Sequence, residues 1–116
     1  MKKIKYTIAS LAIAGSFLFA GQGVAQAALY PVQKTNGAGL DIRKTPTING
    51  VRTEVNIPDG KKLWLYCYVK GESYKGSTIW NYVDDNGYGG EFDYGYAPDY
   101  FIKTGTSNPV VDYCSF

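Results

Sequence analysis

Between Lys61 and Gly76 the chain reads KKLWLYCYVKGESYKG. Laid out as an extended strand, this stretch places Leu63, Leu65, Cys67 and Val69 on one side and Trp64, Tyr66 and Tyr68 on the other. A period of two, with aromatic residues at alternate positions, marks a strand, and Gly71 is read as its end. Its second, aromatic side needs an explanation, because a sheet with one solvated face does not require three large rings there.

Upstream, Pro58, Asp59 and Gly60 have the composition of a type I or II turn leading into this strand. Before the turn, VRTEVNI reads as a weak strand, and the Asn49–Gly50 pair as a tight turn. Thr45 precedes Pro46 and is expected to be extended. GLDIRKTP alternates Leu40 and Ile42 inward with Asp41 and Arg43 outward. Downstream, ESYKGST reads as a loop and IWNYV, residues 79–83, as a strand with two usable faces. DDNGYGGEF is polar and glycine-rich, a mobile connector or hairpin. Tyr96 to Pro98 and Tyr100 to Ile102 read as two last short strands, followed by an irregular tail. No stretch after Ala27 sustains helical spacing for three turns. Short strands between Gly and Pro turns predict a small all-β, partly open barrel.

The N-terminal segment through Ala27 has a different character. Lys2, Lys3 and Lys5 precede an apolar run ending in Ala-Gln-Ala at Ala25–Ala27, the charge, core and cleavage pattern of a signal peptide. The apolar run is about 15 residues, short of the roughly 20 that cross a bilayer as a helix. The expected product is secreted, extracellular or wall-associated, with no stable membrane anchor. Cleavage after Ala27 leaves 89 of 116 residues, one small domain: an N-terminal entry segment over residues 28–38, then a barrel with its tail over residues 39–116. Losing three lysines leaves nine Lys and Arg against ten Asp and Glu, a formal charge of −1. That removes the basic stripe a nucleic-acid partner would need.

Both cysteines, Cys67 and Cys114, lie in the exported part, where an oxidising compartment allows one pairing. A Cys67–Cys114 disulfide is expected. It closes a loop of about 48 residues, for which chain entropy gives roughly 4 kcal/mol.

GLDIRKTP resembles the Leu-Asn-Val-Arg-Ser-Gly-Pro opening of bacterial SH3-like domains. IPDGKKLWLYCYVKGE is similar to that family's Pro-x-Gly turn and central strand, IWNYV to its Trp-containing strand, and YGYAPDYFIKTG to its closing Gly-Tyr-Val-Ser-x-x-Tyr-Val segment. The resemblance spans Gly39 to Gly105 and is strongest to a secreted actinobacterial version with a central-strand cysteine and a second near the C-terminus. Thr45 stands where that family usually has glycine, and VDDNGYGGEFDYG lengthens the connector before the last strands. The resemblance implies a small SH3-like barrel with Leu40, Ile42, Leu63, Leu65, Val69, Ile79 and Val83 as core, and a non-catalytic wall-targeting role.

Ten tyrosines, three phenylalanines and both tryptophans remain after Ala27, more than one small core can hide. The expected ligand-contacting set is Tyr74, Trp80, Tyr82, Tyr88, Tyr94, Tyr96 and Tyr100, with Phe92 nearby. Asp84, Asp85, Glu91 and Asp93 are expected as partners for ammonium groups of a stem peptide. For Trp64 and Trp80 the competing expectation is burial beneath the chain termini. Peptidoglycan is the expected partner of a monomeric protein, and a secreted or surface protein the alternative, as for an inhibitor or competition factor.

No catalytic site is expected. There is no histidine, the thiols are paired, and the serines have no recognisable nucleophile setting. Glu72 or Glu91 with Asp93 sit in polar loops rather than a rigid cleft. Asp84 begins a run resembling a calcium loop, but its twelfth position is Gly95 rather than glutamate. No metal site and no cofactor are therefore expected.

Overall fold

The computed structural model describes residues 27–116, so the expected leader lies outside it apart from Ala27. The described chain is all-β. Six strands, β1 (Ala28–Pro31), β2 (Leu40–Arg43), β3 (Arg52–Ile57), β4 (Lys62–Tyr74), β5 (Ser77–Asp84) and β6 (Tyr94–Pro98), form one sheet in the order β1-β4-β5-β6-β2-β3. Every pairing between neighbours is antiparallel, and the sheet curls into a partly open barrel. Among the described residues no helix is long and apolar enough to cross a membrane.

The core contains Leu40, Ile42, Leu63, Leu65 and Val83, as the alternation predicts. It also takes Val32, Ile57, Ala97, Ile102 and Val111, which lie in segments with little pattern of their own. Val69 and Ile79 are only half-buried and stand outside it. For Val69 the reason lies in β4, whose alternation is interrupted. Leu65 pairs with Val83 but Cys67 pairs with Tyr82, so Tyr66 and Cys67 together oppose one residue. Such a bulge turns both side chains to the Tyr82 face and shifts the phase by one as far as Lys70, beyond which a second irregularity precedes Tyr74. Tyr68 thereby pairs with Asn81 and packs on the core, whereas Cys67 leaves the side of Leu63 and Leu65.

The entry segment is more ordered than its sequence suggests. β1 pairs along β4 from Ala28 with Leu65 to Pro31 with Lys62. Pro31 is tolerated because β1 is an edge strand, where a missing N–H breaks no ladder. Val32 then bridges to Ile102, with Gln33 N donating to Phe101 O (2.8 Å) and Lys103 N to Pro31 O (2.8 Å). These contacts draw the end of the chain toward its beginning.

Two other expectations are corrected. Gly71 does not end β4: the strand runs to Tyr74 and turns through Lys75 (φ 52°) and Gly76 (φ 83°), so ESYKGST is a hairpin with a two-residue type I′ turn. Tyr100 to Ile102 is not a strand, since Asp99–Phe101 forms a 3-10 turn and only Ile102 bridges. Of the two readings of DDNGYGGEF, the hairpin holds: Asp84 pairs with Tyr94, and the loop between them contains a short 3-10 turn at Tyr88–Gly90.

Cys67 and Cys114 are bonded (Cα–Cα 4.9 Å). Beside the bond, Tyr68 N donates to Asp112 O (2.9 Å) and Cys114 N to Tyr68 O (2.8 Å), so the tail runs parallel to β4 where β1 has ended. Replacing both cysteines, Cys67→Ser with Cys114→Ser, should lower unfolding free energy by roughly 4 kcal/mol. Urea melts check this, and a change below about 1 kcal/mol would mean that backbone pairing alone holds the tail.

Candidate functional site

Tyr66 projects from the bulge, Tyr82 from β5 and Tyr94 and Tyr96 from β6, on one face of the sheet. Tyr82 pairs with Tyr96 and Asp84 with Tyr94, which fixes their common side. The ring centroids of Tyr66 and Tyr82 are 6.5 Å apart, those of Tyr66 and Tyr94 6.1 Å, and those of Tyr82 and Tyr94 also 6.1 Å, stacked at 22°. Tyr96 lies 5.1 Å from Tyr82, and Phe116, from the tail, 5.2 Å on a T-shaped approach. Tyr94 is 48% exposed, Tyr66 37% and Phe116 81%, so the group presents ring surface to solvent.

This face is held from beneath. The Tyr66 hydroxyl donates to Asp84 Oδ2, a short hydrogen bond. Burial first, then that carboxylate, pushes the Tyr66 phenol well above its ordinary range. Tyr82 is also raised, by burial and then by the neighbouring Tyr96 and Tyr94 phenols. Both hydroxyls remain neutral donors at physiological pH.

Asp84 and Asp85 are not the solvent-facing ammonium partners that the sequence predicts. They are 2% and 0% exposed. Asp84 Oδ1 accepts the Asn86 N–H (2.7 Å) and Asp85 Oδ1 the Gly87 N–H (3.1 Å), each two residues on. Asp85 Oδ1 also accepts Asp93 N–H (3.1 Å). The Asp-Asp-Asn-Gly spelling is itself the signal for such side-chain turns.

Trp80 is likewise buried, at 1% exposure. Its Nε1 donates to Glu72 O (2.8 Å), and it is covered where Gly71 meets Pro46. A Cβ on Gly71 would lie 2.4 Å from Pro46 O and 2.8 Å from Trp80 Cδ1. Trp64 is half-buried on the β4 stretch paired with β1. Tyr88 packs against the core and its hydroxyl donates to Asn56 O (3.1 Å), a structural position.

Tyr74 and Tyr100 belong to a second group. Their rings are 6.0 Å apart, with Phe101 5.4 Å from Tyr74, and Lys34 Nζ lies 5.1 Å and Lys75 Nζ 5.8 Å from the Tyr100 ring. This group borders a groove of about 490 Å³ whose rim carries Lys34, Lys75 and Lys103. Asp99 lines the same groove, 7% exposed, and accepts Asn81 Nδ2 (2.9 Å). Burial raises the Asp99 carboxyl, and the Asn81 hydrogen bond opposes that rise. The expected ligand set therefore divides into an aromatic face (Tyr82, Tyr94, Tyr96), a cationic groove (Tyr74, Tyr100) and interior supports (Trp80, Tyr88, Asp84, Asp85). Tyr66 and Phe116 complete the aromatic face without having been in that set. The first is placed there by the bulge and the second by the disulfide-held tail.

No family model matches the chain. It is similar over its whole length to the uncharacterized protein YraI of Bacillus subtilis (strain 168), 34% identical over 122 residues that cover all of both chains. It is also similar to the uncharacterized protein YraJ of the same organism, 29% identical over 120 residues, covering 99% of this chain and all of that one.

Two outcomes follow from the buried groups. Gly71→Ala should destabilise by about 1–3 kcal/mol, because Pro46 and Trp80 must both move; chemical denaturation reads this directly. Asp99 has a folded pKa above its unfolded value, so its contribution is most favourable below about pH 4 and declines as pH rises through the folded value. Asp99→Asn should gain stability over wild type at pH 7 and gain less at pH 4, and equal gains at both would show that ionisation of Asp99 is not the cause.

Proposed function

We propose that this chain, which belongs to the family of Bacillus subtilis YraI, is an exported, non-catalytic module that binds the glycan of the bacterial cell wall. The observation that carries the reading is the continuous aromatic face of Tyr66, Tyr82, Tyr94, Tyr96 and Phe116. Tyrosine rings offer flat apolar surface with a hydroxyl at the edge and lose little conformational entropy on binding, which suits stacking against sugar rings. The inward turn of Asp84 and Asp85 favours glycan over the ammonium groups of a stem peptide on this face. The resemblance to bacterial SH3-like domains supports a wall-targeting role, and the signal-peptide pattern together with the disulfide supports export. The chain has no histidine, and both thiols are held in the disulfide, which supports a binding rather than a catalytic role.

Cosedimentation of the oxidised protein with purified peptidoglycan sacculi tests the reading. Wild type should pellet, and Tyr94→Ala should weaken the apparent binding constant about five-fold, since one stacked ring contributes on the order of 1 kcal/mol. Gln33→Ala, in the separate groove, should pellet like wild type. If wild type stays in the supernatant with every sacculus type, wall binding is wrong and a protein partner for the aromatic face takes its place.

A further inference from the structure

We infer that the carboxylates of Glu54, Asp85 and Asp93 form a calcium-binding site. They come from three parts of the chain: Glu54 from β3, Asp85 from just beyond β5 and Asp93 from just before β6. One carboxylate oxygen from each lies within 4.8 Å of the other two. Calcium holds its oxygen ligands at 2.3–2.6 Å, so two ligands on opposite sides of one ion are separated by about 5 Å, and all three distances fit inside that limit.

A second observation, independent of the clustering, concerns Asp85. Its residue is 0% exposed, yet Oδ2 has no hydrogen-bond partner among the described residues. A buried carboxylate oxygen without a donor is unfavourable unless a positive charge faces it. The known partners leave particular oxygens free. Asp85 Oδ1 takes the N–H groups of Gly87 and Asp93, and Glu54 Oε2 takes the Val55 N–H (3.1 Å). That leaves Glu54 Oε1, Asp85 Oδ2 and the Asp93 carboxylate available as ligands.

Among the described residues no side-chain cation pairs with the group. Arg43 and Arg52 both pair with Asp41, and the Lys61 ammonium donates to Asn86 O (3.1 Å). The donors are all hard oxygens, without imidazole or thiolate, which excludes the preferences of zinc and copper. Magnesium requires a near-ideal octahedron at about 2.1 Å and gives up water reluctantly, whereas calcium accepts irregular sets of six to eight oxygens. The surroundings pack closely: a Cβ on Gly89 would lie 3.0 Å from Glu54 Oε1, and one on Gly95 would lie 2.7 Å from Thr53 Oγ1. The missing side chain at Gly89 lets the connector approach β3 at Glu54, and that at Gly95 lets β6 approach β3 at Thr53.

This site is distinct from the calcium loop that the sequence excludes at Gly95. Glu54 lies far upstream of Asp85 and Asp93, so the ligands do not follow the spacing of a single loop. The ion would add a tie between β3 and the connector, which the Tyr88–Asn56 hydrogen bond already joins. The inference stands independently of wall binding.

Thermal unfolding of the oxidised protein, freed of metal with EDTA and then titrated with calcium chloride at constant ionic strength, tests it. Extracellular calcium modules have dissociation constants of about 10⁻⁴ to 10⁻³ M. At ten times such a value the unfolding equilibrium constant should fall roughly eleven-fold, seen as a rise in Tm. Asp93→Asn and Glu54→Gln, both at half-buried positions, should fold and lose most of the rise, and magnesium should produce much less. Asp85→Asn is the more severe change, and it should weaken binding, measured calorimetrically, whatever it does to stability. No rise with calcium up to about 10 mM, above the weakest of that range, would overturn the inference, as would an equal rise in Asp93→Asn and Glu54→Gln. An equal response to magnesium would overturn the assignment to calcium.

Discussion

The bulge at Tyr66 fixes what each face of the central strand carries. Two residues of β4 stand against Tyr82 alone, so Tyr66 and Cys67 share a face and the alternation beyond them is reversed. Without that extra residue, Cys67 would point where Leu63 and Leu65 point, into the core. Tyr68 would then stand outside. With it, the thiol is placed to reach Cys114, Tyr68 fills interior space, and Tyr66 joins the rings of β5 and β6.

The disulfide and the tail depend on this arrangement and in turn complete the sheet edge. β4 is 13 residues long, and β1 pairs with only its first part. The tail takes the next stretch at Tyr68, and the Thr45–Gly50 loop the last, with Glu72 N donating to Pro46 O (3.0 Å) and Ile48 N to Glu72 Oε1 (2.8 Å). An exposed strand edge invites pairing with other chains, and here three separate segments cover it. For a domain of this size, such ties matter as much as the core, because the area it can bury is small.

The connector between β5 and β6 physically joins the aromatic face to the carboxylate cluster. Asp84 holds the Tyr66 hydroxyl, and Asp93 directly precedes Tyr94. Two of its acids, Asp84 and Asp85, expected to meet a ligand's ammonium groups, are instead buried acceptors of backbone N–H groups. Polarity of a segment reports what its side chains can bond to, and says little about whether the bonding partner is water or backbone. Trp80 shows the converse. The sequence left it open to burial or to ligand contact, and the close approach of Gly71 and Pro46 sealed it.

From the residues alone came the all-β class, the disulfide, the turn at Pro58–Gly60, five of the six strands and half of the core. Each rests on local spacing or on an unambiguous count: period-two alternation, turn residues at fixed offsets, two cysteines and one possible bond. The tertiary structure alone decided the phase of β4 after Tyr66, the pairing of β1, the burial of Trp80, Asp84 and Asp85, and the meeting of Glu54 with Asp85 and Asp93. These depend on which strand lies beside which and in what register. A bulge moves no residue in the sequence, yet it turns the side chains that follow it to the opposite face, so neighbours across the sheet, not neighbours along the chain, settle where the tyrosines and carboxylates point.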